Sequence, residues 1–335
     1  MRLYNVFSPI PCRVVLMPNT LVIGAVGQIG TELTMELRKK HGGKNVVAST
    51  RKTPFPKEME ESGPCLYFDV QDKEAMKKVV KEHNIDTIYQ LASLLSATGE
   101  QKPDLAFDIN LIGLKNTLDV CRECNVKKIF WPSSIAAFGP TTPRDNTPQE
   151  TVLEPTTMYG VTKVAGELLM QYYYKKYGLD TRSIRYPGLI SYKAEPGGGT
   201  TDYSVAIFYE AIKHKRYTCF VGPQTVLPMM YMPDAIKGTI DLMEAPREKL
   251  TIATSYNFAA ISFSAKELAD EVARIIPGFE CDYKPDHRQA IADSWPKSID
   301  DSQARKDWGW KHEYGLKEIS EDMVKNLTPI LENKK

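Results

Sequence analysis

The first half of the chain alternates short apolar runs with segments of helical periodicity. The run "NTLVIGA" precedes the helical "QIGTELTMELRKKHGG", and further apolar runs follow at "KNVVAST", "CLYFDV", "DTIYQLAS" and "VKKIFWPSS". Helical stretches separate most of these runs. Strands joined by helices of this length make right-handed crossovers, which place the strands parallel in one sheet. The pattern predicts an α/β fold with a doubly wound parallel sheet.

Three glycines mark the junction between the first strand and the first helix. Gly24, Gly27 and Gly30 follow one another at steps of three in "LVIGAVGQIG", with Gln28 and Ile29 between the last two. Glycine permits a tight turn, a close approach to a pyrophosphate and close packing of the helix on the strand. The start of a helix also offers free N–H groups to phosphate. The junction therefore predicts a dinucleotide site of Rossmann type.

The position that would bind the adenosine ribose is not acidic. A carboxylate about 20 residues after the glycines would bind the ribose hydroxyls of NAD, but the second strand ends in Thr50, followed by Arg51 and Lys52. Arg51 could accept the 2′-phosphate of NADP, or the segment could be a solvated basic loop. Asp69, followed by Val70, ends the third strand, where a carboxylate can accept from the adenine amino group. These residues leave the choice between NAD and NADP open.

A tyrosine and a lysine lie one helical turn apart in "MYGVTK". Tyr159 and Lys163 share one helix face, where the ammonium would lower the pKa of the phenol from its usual value of about 10. Such a phenol can act as general base for an alcohol proton. The same spacing recurs twice along the chain, but Tyr159 also follows a strand that ends in Ser133 and Ser134, at the sheet edge where ligands bind.

The glycine triplet, "SSIAAFG", "YGVTK" and "RYPGLI" together resemble the extended short-chain dehydrogenase/reductase superfamily over nearly the whole chain. The resemblance implies that Ser134, 25 residues before the tyrosine, holds the substrate oxygen. It also implies that Tyr159 transfers the proton and that Lys163 binds the nicotinamide ribose. Further cofactor contacts are expected from Leu91, Ala92, Asn110 and Pro187.

Four segments are similar to the short-chain family of L-threonine 3-dehydrogenases: "LASLLSATGE", "PGLISYKAEPGGGTTDYSVAIFYEAI", "LPMMYMPDAI" and "ADSWP". This resemblance implies NAD as cofactor and L-threonine as substrate, oxidised to 2-amino-3-oxobutanoate. The glycines at 197–199 suggest a hinge that closes over the substrate. The expected substrate contacts are Ser96, Ser133, Ser134, Tyr159, Thr200, Thr201 and Trp295.

Two other functions remain open at this point. A sugar-nucleotide epimerase or dehydratase on the same scaffold would need basic residues for a pyrophosphate, and Arg216 and Arg288 are the candidates. A non-catalytic nucleotide-sensing protein would be expected to have lost the tyrosine or the lysine, and both are present.

The chain divides by pattern into two parts. Residues 17–190 form the predicted dinucleotide-binding domain, with 218–262 partly returning to it. Residues 191–217 and 263–330 form a smaller C-terminal substrate-binding region. The superfamily resemblance also implies a homodimer, formed through the helices around 103–124 and 158–177.

Charge and composition limit the possible partners. The net charge is +1, so no strong field favours nucleic acid or an anionic membrane. No apolar stretch approaches the roughly 20 residues that span a bilayer. The "CREC" pair, Cys121 and Cys124, lacks the second ligand pair of a zinc site, and no metal is expected.

The N-terminal residues carry a charge bias. Arg2 and Arg13 precede the first carboxylate, Glu32, which is a feature of mitochondrial transit segments. Translation could also start at Met17. The bias predicts a mitochondrial location, with the cytoplasm as the alternative.

Overall fold

Seven parallel strands form the central sheet of the computed structural model, which describes residues 19–332. In spatial order they are β3 (Cys65–Tyr67), β2 (Val46–Thr50), β1 (Thr20–Ile23), β4 (Thr87–Gln90), β5 (Lys128–Ser134), β6 (Asp180–Tyr186) and β10 (Tyr256–Asn257). The order reverses between β1 and β4, and ligands of such sheets bind at this switch point. The predicted doubly wound Rossmann-type fold is confirmed.

Helices cover both faces of this sheet. The helices of residues 19–332 are α1 (Gln28–His41), α2 (Lys57–Ser62), α3 (Lys73–Glu82), α4 (Ser96–Gln101), α5 (Pro103–Phe107), α6 (Gly113–Glu123), α7 (Met158–Tyr177), α8 (Tyr203–His214), α9 (Met232–Glu244), α10 (Ala265–Ile275), α11 (Arg288–Asp293), α12 (Ser302–Trp308) and α13 (Leu316–Glu332). A π-helical turn, Asp108–Ile112, joins α5 to α6. The single helix predicted around 103–124 is therefore interrupted by one turn with more residues than an α-helical turn.

Each face of the sheet buries its own apolar core. Leu33 of α1 and Ile236 of α9 pack on one face, and Leu118 of α6 and Met170 of α7 pack on the other. Strands buried on both faces need apolar residues at successive positions. This explains why the sequence shows continuous apolar runs instead of alternation.

The second half of the chain builds two smaller sheets. One contains β7 (Gly188–Ile190), β9 (Val226–Tyr231) and β11 (Ile261–Ser264), and the other contains β8 (Arg216–Cys219) and β12 (Glu280–Tyr283). The "LPMMY" strand, which could have returned to the central sheet, pairs with β7 and β11 instead. The short β10 is the later strand that returns, beside β6.

Within residues 19–332, no helix is both long and apolar enough to cross a membrane. The N-terminal segment with its predicted mitochondrial signal lies outside the described residues.

Candidate active site

The β1–α1 junction forms a cradle for a phosphate group. Gly24 has φ +85°, and a Cβ atom there would lie 2.8 Å from the backbone nitrogen of Ala92. A Cβ atom on Gly30 would overlap the carbonyl oxygen of Gly24. Helix α1 begins after Gly27 with no side-chain cap, so the N–H groups of its first turn remain available to an anion. The junction fits a dinucleotide pyrophosphate.

A cavity of about 330 Å³ extends from this cradle along the carboxyl ends of the strands. It is the adenosine side of the predicted site, because it is lined by residues at the ends of β1, β2, β3 and β4. The predicted cofactor residues that line it are Gly24, Gly27, Thr50, Asp69, Val70, Leu91 and Ala92.

A second cavity, of about 140 Å³, adjoins the first, since Leu91 and Ser93 line both. The structure brings every predicted catalytic and substrate-binding residue to this cavity, together with Leu91 and three further predicted cofactor residues. The lining includes Gln28, Ile29, Ser96, Ser133, Ser134, Tyr159, Lys163, Pro187, Thr200, Thr201 and Trp295.

Helix α7 positions the tyrosine and the lysine. The side chain of Thr157 caps its start by accepting from the N–H of Gly160 at 3.1 Å. The Lys163 ammonium nitrogen donates to the carbonyl oxygen of Pro132 at 2.6 Å and lies 5.1 Å from the centre of the Tyr159 ring. Lys163 is 1% exposed. The lysine is therefore held beneath the phenol by the end of β5.

Burial changes the acidity of both groups. It raises the pKa of Tyr159 to about 12, and a hydrogen bond with Ser134 opposes this rise. Burial also lowers the pKa of Lys163 to about 7, against the attraction of the Glu167 carboxylate. The prediction that Lys163 pulls the pKa of Tyr159 below its usual value is wrong for this structure. Desolvation of the phenol outweighs any nearby charge.

Ser133 lines the cavity, but its hydroxyl donates its hydrogen bond to a buried carboxylate. It donates to Glu167 Oε1 at 2.6 Å, and Arg185 donates to both oxygens of that carboxylate, at 2.9 and 2.7 Å. All three side chains are buried. The ion pair satisfies the buried charges, and it fixes Ser133 beside Ser134 at the end of β5.

Asn110 and Gly30 line neither cavity. The Asn110 side chain accepts from the N–H of Leu94 at 2.7 Å, donates to the carbonyl oxygen of Leu94 at 3.1 Å and donates to Thr162 at 3.3 Å. It lies in the π-helical turn and is 1% exposed. Asn110 therefore holds the loop between the two cavities against helix α7, where the sequence predicted a cofactor contact.

Asp202, which the sequence reasoning missed, fixes the conformation of the glycine loop. Its Oδ2 atom accepts from the N–H groups of Gly197, Gly198 and Gly199 at 2.7, 2.8 and 2.8 Å. The run of glycines just before an aspartate is the signal that could have indicated this turn. Other residues of the 140 Å³ cavity that were missed are Leu95, Pro132, Ile135, Tyr186, Gly188 and Leu189.

In the described part of the chain, no three His, Cys, Asp or Glu side chains are grouped so as to hold a metal ion. The groups that line the cavity and can take part in chemistry include the hydroxyls of Ser134 and Tyr159 and the amine of Lys163.

Comparison with known proteins gives a consistent result. The model of the NAD dependent epimerase/dehydratase family matches residues 20–258. An uncharacterised epimerase/dehydratase of Staphylococcus haemolyticus is 48% identical over 95% of this chain and 100% of its own. The mitochondrial L-threonine 3-dehydrogenase of Bos taurus is 47% identical over 91% of this chain and 81% of its own.

Solved structures agree with these relatives. An L-threonine dehydrogenase from Clostridium difficile superposes with a TM-score of 0.91 at 49% identity, covering 94% of this chain and 98% of the other. A structure described as a monomeric L-threonine 3-dehydrogenase from a metagenome gives 0.89 at 46% identity, with coverage of 93% and 99%.

Proposed function

The chain belongs to the NAD-dependent epimerase/dehydratase family, and from this premise we propose that it oxidises L-threonine at C3 to 2-amino-3-oxobutanoate. One observation carries the proposal: Ser134, Tyr159 and Lys163 meet in a small cavity that adjoins the dinucleotide cradle. The L-threonine dehydrogenases among its relatives support the choice of substrate. We assign the cofactor to residues 17–190 with part of 218–262, and the substrate-binding region to 191–217 and 263–330.

The size of the cavity supports a small substrate. Its volume of about 140 Å³ is below the roughly 300–1,000 Å³ of pockets that hold drug-sized ligands. The hydroxyl groups of Ser96, Thr200 and Thr201 line it and can hydrogen-bond the polar groups of an amino acid. The ring of Trp295 forms an apolar part of the wall. A small polar alcohol fits this lining better than a nucleotide-sugar does.

The residues divide the chemistry between them. Bound NAD supplies the oxidised nicotinamide, the electron acceptor of the reaction. The phenolate form of Tyr159 accepts the proton of the substrate hydroxyl, and the neighbouring Ser134 hydroxyl holds the substrate oxygen in place. The Lys163 nitrogen lies over the Tyr159 ring and donates a hydrogen bond to the carbonyl oxygen of Pro132. Lys163 is buried, and Ser134 and Tyr159 are half-buried where they line the cavity, so the protein shields the reacting atoms from much of the surrounding water.

The test is formation of NADH, followed by absorbance at 340 nm, with L-threonine and a panel of other amino acids and alcohols. Tyr159→Phe should lower turnover by about 10²–10⁴, as expected for loss of a positioned acid/base. Tyr177→Phe is the matched control, because Tyr177 lies at the end of the same helix and is 43% exposed. Turnover of Tyr159→Phe near that of the wild type would refute the role.

The sugar-nucleotide alternative has less support. Arg216 is paired with Asp282 at 2.7 Å, and Arg288 with Asp286 at 2.6 Å. Among the described residues that line the 140 Å³ cavity, Lys163 is the one basic side chain. A uridine nucleotide that bound tightly in calorimetry, with no NADH formed from threonine, would nevertheless favour an epimerase.

We also propose a homodimer built on α5–α6 and α7. These neighbouring helices expose six large apolar side chains, each 36–59% exposed: Leu105, Phe107, Ile112, Val161, Leu168 and Tyr172. Burying this face against its copy would form a four-helix bundle about a two-fold axis. Sedimentation velocity should show a dimer that Leu168→Glu dissociates and Ile330→Glu, on α13, does not. A monomeric wild type, as described for the metagenome protein, would contradict the proposal.

We further propose a mitochondrial location, on the charge bias of the N-terminal residues and the name of the Bos taurus relative. Isolated mitochondria should import and protect the full chain, and should not import a chain that starts at Met17. Failure of the full chain to be imported would favour the cytoplasm.

A further inference from the structure

The adenosine end of the nucleotide site carries basic side chains where an acidic one is expected. Strand β2 ends at Thr50, a neutral residue that is 7% exposed and lines the 330 Å³ cavity. Arg51 follows it, lines the same cavity and is exposed, and Lys52 beside it is exposed as well. A carboxylate in place of Thr50 would bind the ribose hydroxyls and repel a phosphate on them. That repulsion is missing here.

Asp69 is the one carboxylate among the described residues that line this cavity, and Arg51 neutralises it. An oxygen of Asp69 lies 3.7 Å from the nearest Arg51 nitrogen, beyond the length of a good hydrogen bond. The two side chains are 34% and 53% exposed. A solvated pair of this kind is weak, so the guanidinium is free to turn toward another anion. Arg51, Lys52 and Asp69 together carry a net positive charge.

We propose that this site binds NADP as well as NAD, and that Arg51 is the residue that binds the 2′-phosphate. The planar guanidinium offers parallel N–H donors that match the oxygens of a phosphate, and bonds of this kind between charged groups are the strong ones. The inference rests on the dinucleotide site and is independent of the substrate proposed above.

Binding to the nucleotide-free chain tests this directly, without turnover. Isothermal titration should give a Kd for NADP⁺ within about tenfold of that for NAD⁺. The fragments 2′,5′-ADP and 5′-AMP differ only in the 2′-phosphate, so their comparison isolates the contribution of this group. We expect 2′,5′-ADP to bind more tightly. Because the contact is between exposed charges, its contribution should fall as salt rises from low to physiological ionic strength.

Two variants test whether Arg51 is the residue that binds the 2′-phosphate. Arg51→Ala should weaken NADP⁺ binding by about 10–100-fold, the effect of one or two charge-assisted hydrogen bonds. Its NAD⁺ binding should stay within about threefold of the wild type, which also shows that the variant folds. Thr50→Asp should select against NADP⁺. Lys57→Ala is the control, since this exposed lysine of α2 is outside the cavity.

The proposal is overturned if NADP⁺ binds the wild type more than about tenfold more weakly than NAD⁺. It is also overturned if Arg51→Ala affects the two nucleotides equally. Threonine oxidation with NAD would survive either result. Conversely, NADP⁺ binding without threonine oxidation would refute the proposed substrate and leave this inference standing.

Discussion

The buried lysine of the active site should weaken the fold at neutral pH. Desolvation lowers the pKa of Lys163 from 10.5 to about 7 in the folded chain. Between these two values the unfolded chain binds a proton that the folded chain does not, so folding becomes more favourable as the pH rises. Replacing Lys163 with methionine, which has a similar length and no charge, removes this effect.

The size of the effect follows from the shift. Each pH unit between 7 and 10 corresponds to at most about 1.4 kcal/mol, so the wild type should gain about 2–4 kcal/mol relative to Lys163→Met over this range. At pH 7 the variant also loses the hydrogen bond to Pro132, which costs about 1–3 kcal/mol. The net expectation at pH 7 is a variant that is more stable by about 2 kcal/mol, with little or no activity.

Urea unfolding of both proteins at each pH from 6 to 10 measures this difference. Lys176→Met, a change of an exposed lysine at the end of the same helix, is the control and should show no such pH dependence. If Lys163→Met is less stable than the wild type by a constant amount at every pH, the lysine is charged in the folded chain. The reasoning from burial would then be refuted.

Two further predictions concern the ionisation of Tyr159 and the glycine cradle at the β1–α1 junction. Because the pKa of Tyr159 is about 12, the rate of threonine oxidation should rise by about tenfold per pH unit below pH 9; a rate that levels off below pH 8 in a pH–rate profile would contradict this. Gly30→Ala places a methyl group against the backbone of Gly24 and should lower the free energy of unfolding by about 1–3 kcal/mol and weaken NAD binding in calorimetry. Gly222→Ala, where the added carbon would meet side-chain atoms at 3.5 Å and beyond, should do neither, and equal behaviour of the two variants would count against a packed cradle.

Local sequence patterns were sufficient for the elements and for much of the site. The glycine steps, the serine pair and the spacing of Tyr159 and Lys163 each depend on residues close in sequence, and parallel strands bring their ends to one edge. The structure places all of these residues except Gly30 at two adjoining cavities.

What the sequence could not supply depends on distant contacts. The hydrogen bond from Ser133 to Glu167 joins residues that are 34 apart in sequence. The hydrogen bond from Asn110 to Thr162 joins residues that are 52 apart. The sequence does not give the acidity of Tyr159 for a similar reason, since the spacing to Lys163 identifies a nearby charge but not the burial of the phenol.

The central claim is that Tyr159 removes a proton from L-threonine beside bound NAD. The most direct measurement is the rate of NADH formation from L-threonine by the wild type and by Tyr159→Phe, each saturated with NAD. The account predicts steady NADH formation by the wild type and a rate lower by about 10²–10⁴ in the variant. Equal rates in the two proteins, or no NADH from threonine with the wild type, would contradict it.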